Sequence, residues 1–296
     1  MERIHCTENI RCVGREDREY PRKLKDYPSM PKQIYVKGNL PVPEIPSVAV
    51  IGARKCSPYG RIQAFRFAKA LSMAGVQIIS GMALGIDSEG HRGALEGKSP
   101  TFAVLGSGVD VCYPASNRNL YQRIVRENGG IISEYPPGSP PKAWCFPARN
   151  RIISALSDAV LVVEAKENSG SLITAEFALE QGKMVFAVPG SVEDTLSKGC
   201  NKLIYDGAGL AYCPEVILEE LGISGNVHTE TEEKTNLGLA SDLNLVYSCL
   251  DLRPKNLDYI TAKTGFLPAQ AGNCLIELIL MGLVEETGRN YYVRIK

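Results

Sequence analysis

The sequence predicts an α/β protein: a doubly wound, mostly parallel sheet followed by a small C-terminal winged-helix domain. Three observations predict it. Six short apolar runs, VAVIGAR, VQIISG, TFAVLGSG, GIISEY, AVLVVEA and MVFAVPG, are closed by Gly, Glu, Arg or Pro and lack strict alternation. Strands buried on both faces read that way. Between the runs lie helical segments, PYGRIQAFRFAKALSMAG, GHRGALEG, ASNRNLYQRIVRENG and SLITAEFALEQG, several of which stop at glycine. Strand alternating with helix gives a parallel sheet with helices on both faces.

The elements follow in order. Residues 1–46 are basic and proline-rich, and suggest a short helix and a strand packed as a lid. Residues 47–222 carry the alternating pattern. Residues 223–240 are polar and poor in large apolar residues, as a linker is. Residues 241–296 read as three helices and a hairpin with GRN as its turn.

Composition excludes some classes. No run of 18 apolar residues occurs, so no membrane span is expected. The start lacks an apolar signal core, which predicts a cytoplasmic protein. The 9 cysteines are scattered, without a C-x-x-C pair, so neither a disulfide framework nor a metal site is expected. The formal net charge is +0, but the charges are unevenly placed. From Ser47 to Ile86 stand Arg54, Lys55, Arg61, Arg66 and Lys69 with no acid. From Tyr135 to Ser157 stand Lys142, Arg149 and Arg151, again with no acid. If the fold joins these stretches, a neutral protein acquires a basic pocket.

Parallel sheets bind ligands beyond the carboxyl ends of their strands. The loops expected there are GARKCSPYG (52–60), SGMALGID (80–87), GSGVDVCYP (106–114), KENSGS (166–171) and PGS (189–191). Gly and Ser let backbone N–H groups approach an anion, and helix N-termini add partial positive charge. That nominates Ser57, Gly81, Ser169, Gly170 and Ser171 beside Arg54 and Lys55. The same glycines could simply make tight turns. No G-x-x-x-x-G-K-[ST] motif occurs, and GSGVDV lacks the third glycine of a dinucleotide fingerprint, so no nucleotide cofactor is expected. Asp87 and His91 stand four residues apart. They form either an acid–base pair or a hydrogen-bonded helix start; the absence of a nucleophile beside them favours the second.

The stretch KAWCFPARNR (142–151) puts Lys142, Trp144, Phe146, Arg149 and Arg151 into ten residues, read as another strand-end loop. Arginines meet phosphate with a bidentate fork, and rings stack on unpaired bases. Duplex bases are already stacked, so the rings point to single strands. Alternatively Trp144 and Phe146 anchor the segment in the core while Arg149 starts a helix.

VAVIGARKCSPYG, IISGMALGIDSEGHRGAL, TFAVLGSGVDVCYPASNRNL, the stretch from GGIISEY to TAEFAL, and VFAVPGSVEDTLSKGCNKLIYDGA closely resemble the DNA-processing protein A (DprA/Smf) family. The resemblance spans about residues 20–213, and the linker and tail resemble the C-terminal part of many members. It implies an extended Rossmann-like domain, a homodimer, binding of single-stranded DNA, protection of incoming strands in natural transformation and loading of a RecA-type recombinase. By motif it nominates Arg54, Lys142, Phe146, Arg149 and Asn150 as DNA contacts. SEGHRGAL departs from the pattern at Ser88 and Glu89, which weakens that helix as a contact.

Two rival readings stand beside this one. GSLITAE looks like the P-G-G-x-G-T-x-x-E loop of nucleotide phosphoribohydrolases, with Glu176 as catalytic acid, but the double glycine is missing. A duplex-reading transcription factor would use the winged helix. Its expected recognition helix, LPAQAGNCLIELILMG, has no Lys or Arg, which suits a protein partner better than DNA. The expectation is therefore a non-enzymatic, single-strand-binding recombination mediator.

Overall fold

Seven parallel strands make the framework, in the order β6 (Gly130–Ser133), β5 (Thr101–Leu105), β4 (Gln77–Ser80), β3 (Ser47–Ile51), β7 (Ala159–Val162), β8 (Met184–Ala187), β9 (Gly209–Leu210). The structure is a computed structural model and describes residues 10–223 and 239–295. Two compact units divide the chain, Met1–Val227 and His228–Lys296.

In the first unit β3 lies at the centre, with Ala49 opposite Ile79 on one side and Val160 on the other. All five of its residues are buried. Period two sends Val48 and Val50 to one core, with Phe67, Leu71 and Ala94. Ala49 and Ile51 go to the other core, with Ile152, Val160 and Ala175. The unbroken apolar runs in the sequence reflect this two-sided burial.

Helices α2 (Pro58–Met73) and α3 (Ile86–Leu95) cover the first face, and α5 (Cys145–Leu156) and α6 (Gly170–Glu180) the second. The remaining helices are α1 (Arg22–Lys25), α4 (Arg118–Arg126), α7 (Lys198–Tyr205) and α8 (Pro214–Glu220). Ser57 caps α2 by accepting from Gly60 N at 3.0 Å, and Pro58 takes the first helical position, where no N–H is needed.

Three expectations change. The stretch expected as a lid is part of the sheet: β1 (Ile10–Gly14) and β2 (Gln33–Gly38) pair antiparallel and add to β6, with Tyr35 opposite Ser133. Val13, Ile34 and Val36 carry it into the core, and Lys23 Nζ pins it to Asp158 at 2.6 Å. Helix α3 begins at Ile86, four residues before the expected Gly90. The stretch 142–151 is helical from Cys145, because Pro147 falls in the first turn, where its missing N–H costs nothing.

The second unit holds α9 (Ser241–Ser248), β10 (Lys255–Asn256), α10 (Leu257–Thr264), α11 (Pro268–Leu280), β11 (Val284–Gly288) and β12 (Tyr291–Arg294). Its sheet runs β10-β12-β11, antiparallel. Leu243, Val246, Leu275, Leu278, Leu283 and Val284 form its own core. Most of the expected linker, residues 224–238, lies outside the described residues. Among the described residues, no helix is long and apolar enough to cross a membrane.

Candidate nucleic-acid interface

Strands β3 and β7 are neighbours, yet the chain leaves them for helices on opposite faces, α2 and α6. Such a reversal opens a crevice beyond the strand ends. Its walls are the 51–54 turn after β3, the 169–174 start of α6, and the face of α5 that carries Phe146, Arg149, Asn150 and Ile153. Those four recur at helical spacing i, i+3, i+4, i+7, so one turn of the helix wheel aims all of them at the opening.

At the rim, exposed Arg54 holds its guanidinium 5.2 Å from the Phe146 ring centroid. On Phe146 also leans Tyr113, 5.5 Å between centroids and tilted 37°. Tyr113 is 47% exposed. A cation and two rings thus form one row along the mouth of the crevice. Lys55 is exposed beside Arg54 but does not line the crevice. At the far wall Ser169 caps α6, accepting from Ser171 N at 3.2 Å, and Asn150 Nδ2 donates to Gly170 O at 3.2 Å. This start of α6 opens on the crevice; no neighbouring atom crowds Gly170.

Several of the expected contacts have partners within the protein. Arg149 is 4% exposed. Its Nη1 donates to the carbonyls of Gly81, at 2.6 Å, and Val104, and its Nε to Asn150 Oδ1 at 3.0 Å. Burial pulls its pKa down to about 10, against the attraction of Asp87, so it remains a cation. It supplies positive potential to the crevice floor, with Nη1 committed to backbone carbonyls and Nε to Asn150. Gly81 is buried because that guanidinium lies against its Cα, where a Cβ would overlap it, and its N–H goes to Asp87 Oδ2 at 3.1 Å. Gly81 therefore makes room for Arg149 and offers nothing to an anion.

Ser57 is also engaged. Its N–H reaches Glu164 Oε2 at 2.9 Å and its hydroxyl donates to Oε1. Glu164, just past β7, is 1% exposed, and burial raises its pKa against the Ser57 bonds. Its carboxylate fills the N-terminus of α2, where dinucleotide-binding folds seat a pyrophosphate. Arg151 points away from the crevice, two residues and so about 200° round the helix from Arg149. It pairs with Glu134 Oε2 at 2.6 Å, both side chains under one-fifth exposed.

Asp87 and His91 do not pair. Asp87 accepts from the Gly81 and Ala83 N–H groups, whereas His91 Nδ1 sits 2.7 Å from Thr101 Oγ1. Burial first, and Arg149 second, lower the His91 pKa to about 3 from its ordinary 6.5. Below pH 6.5 the unfolded chain therefore binds a proton that the native state refuses. Stability is full above that pH and falls towards pH 3, by at most about 1.4 kcal/mol per unit. Urea midpoints at about pH 7 and about pH 5 should drop more for the native sequence than for His91→Asn. Equal drops would remove His91 from the account.

Sequence reasoning missed Tyr113 and Glu164. Tyr113 stood in a nominated loop, GSGVDVCYP. Glu164 closes the apolar run AVLVVEA, as Glu134 closes GIISEY, the visible sign of a carboxylate held at a strand end.

A doubly wound sheet whose switch-point crevice carries a cation-and-ring row defines a Rossmann-like protein with a cationic, ring-lined crevice. Residues 11–222 match the family model of DNA recombination-mediator protein A, and the chain belongs to that family. The Smf protein of Synechocystis is 35% identical over 326 residues, covering 98% of this chain and 82% of that protein. The DNA processing protein DprA of Streptococcus pneumoniae is 44% identical over 201 residues, covering 68% and 71%. Its X-ray structure superposes with a TM-score of 0.68 at 42% identity, covering 72% of this chain and 75% of that one. DNA processing protein A of Helicobacter pylori, whose structure describes a single-stranded DNA binding mode, gives 0.65 at 30% identity, covering 72% and 95%.

Proposed function

We propose that the chain is a non-enzymatic mediator that holds single-stranded DNA along the Arg54–Phe146–Tyr113 row, protects it and delivers it to a RecA-type recombinase, acting as a homodimer. The row carries the reading. Three groups suited to a phosphate and to unpaired bases stand within stacking distance at an open mouth. The buried Arg149 beneath adds field, and the start of α6 adds the Gly170 N–H on the far wall, those of Ser169, Ser171 and Leu172 being engaged. A dimer would lengthen the strand held and raise avidity. Family membership, and relatives that are DNA processing proteins, support a role in DNA processing and recombination.

The enzymatic rival has less support. Glu176 is exposed on α6 and does not line the crevice. The second unit we assign as a winged helix that meets a protein. Its α11 bears no Lys or Arg and exposes Ile276 and Leu280, at 59% and 82%.

Arg54→Ala should weaken oligo-dT binding and flatten the salt dependence by about 0.7 in log–log slope, one phosphate contact on a single strand. Phe146→Ala should cost about 1–3 kcal/mol with little change of slope. Fluorescence anisotropy across a salt series checks both. Arg54→Ala with unchanged affinity and slope would remove the row from the binding site.

A further inference from the structure

Trp144, the single tryptophan of the chain, is 61% exposed and immediately precedes α5. Scattered exposed apolar residues need no explanation; this one has company that does. The Tyr135 ring meets it edge-on, 5.8 Å between centroids at 76°. Lys142 Nζ lies 5.8 Å from the indole centroid. Neither Tyr135 nor Trp144 lines the Arg54–Phe146–Tyr113 mouth.

The segment that presents this second cluster is stiff. Pro136, Pro137, Pro140 and Pro141 restrict its backbone. Gly138 N donates to Asp110 Oδ1 at 2.7 Å, and Gly108 N to Ser139 O at 2.9 Å. Tyr135 is half-buried, which raises its pKa and fixes the ring against which the indole stands. A ring held by a rigid loop is pre-organised for stacking and loses little freedom when it stacks. The sheet register extends the line. Ser133 of β6 lies opposite Tyr35 of β2, and Gln33 opposite Gly14 of β1, so exposed Lys32 follows at the same end of the sheet.

We propose that Trp144, Tyr135 and Lys142 form a second base-stacking station, which a single strand reaches after leaving the Phe146 row and on its way towards the β2 edge. The proposal rests on the single-strand reading above and adds a direction and a length requirement. A short oligonucleotide can fill the first row alone; a longer one must cover the indole.

The test uses the full chain and oligothymidylates of about 4 and about 15 nucleotides, spanning the range of single-strand site sizes. Anisotropy of a labelled oligonucleotide reports binding, and Trp144 emission with iodide quenching reports the station. The long strand should quench the emission and shield it from iodide; the short strand and a duplex should do neither. Trp144→Ala should weaken the long strand by roughly tenfold and leave the short one unchanged. Trp144→Phe should restore most of the loss. Binding of the long strand with unaltered emission and iodide access overturns the second station and leaves the first intact. Quenching by the duplex also overturns it. Absence of any anisotropy change with either strand defeats the single-strand reading itself.

Discussion

Arg149→Leu is expected to lower the unfolding free energy by about 3–5 kcal/mol, the cost of breaking a buried charged network from one side. The leucine cannot donate to the Gly81 and Val104 carbonyls, which lie at the ends of neighbouring strands and are shielded from water. Buried carbonyls left unpaired cost about 1–3 kcal/mol each. Asp87, already pushed towards protonation by burial, loses the guanidinium that lowers its pKa. Arg149→Lys should recover only part of the loss, since an ammonium on a linear stem does not reproduce a planar fork. Urea unfolding followed by circular dichroism measures both. A variant with the native midpoint but no affinity for single strands would return Arg149 to the role of a direct DNA contact.

Gly85→Ala is expected to damage stability and binding together. Gly85 precedes α3 with φ 76° and ψ −128°, a conformation closed to L side chains. Its Cα packs on the turn that presents Arg54: an added Cβ would overlap the Ala53 carbonyl oxygen and approach that of Arg54 to 2.6 Å. Those atoms are backbone, so the turn itself must move. Backbone strain alone is worth about 1–3 kcal/mol, and the overlap adds to it. The displaced Arg54 should then lose its place over Phe146. Single-strand affinity should fall as far as in Arg54→Ala, and the double variant should lose little more, because both changes act through one side chain. Thermal unfolding and anisotropy of the two single variants and the double decide it. Additive losses of affinity would show that Gly85 acts elsewhere.

Parts of the candidate site are legible in the sequence. Arg54 and Phe146 were nominated from a strand-end loop and from an aromatic–cationic stretch, and they meet at 5.2 Å. Asn150 and the Ser169–Ser171 turn line the same crevice. Trp144 and Lys142 are exposed, as stacking and phosphate contacts require. Read as a loop, residues 142–151 had no phase, so Arg149 and Arg151 looked equivalent. As a helix, they part by more than half a turn, one under the crevice and one in an ion pair with Glu134. The N-terminal stretch misled for a different reason. Its prolines and cations conceal two short strands whose pairing depends on β6, about a hundred residues away in sequence.

From the sequence by itself came the alternation of buried strands and helices, and with it the placing of ligand-type loops at one end of the sheet. Apolar periodicity is local, and burial on two faces leaves its mark on every run. Only the tertiary structure decided which polar groups remain available. Ser57 is claimed by Glu164, 107 residues away, and Arg149 by Gly81, 68 residues away. Hydrogen bonds at such separations follow from how the strands are ordered, and no local pattern in the chain encodes which donor finds a partner inside and which is left for a ligand.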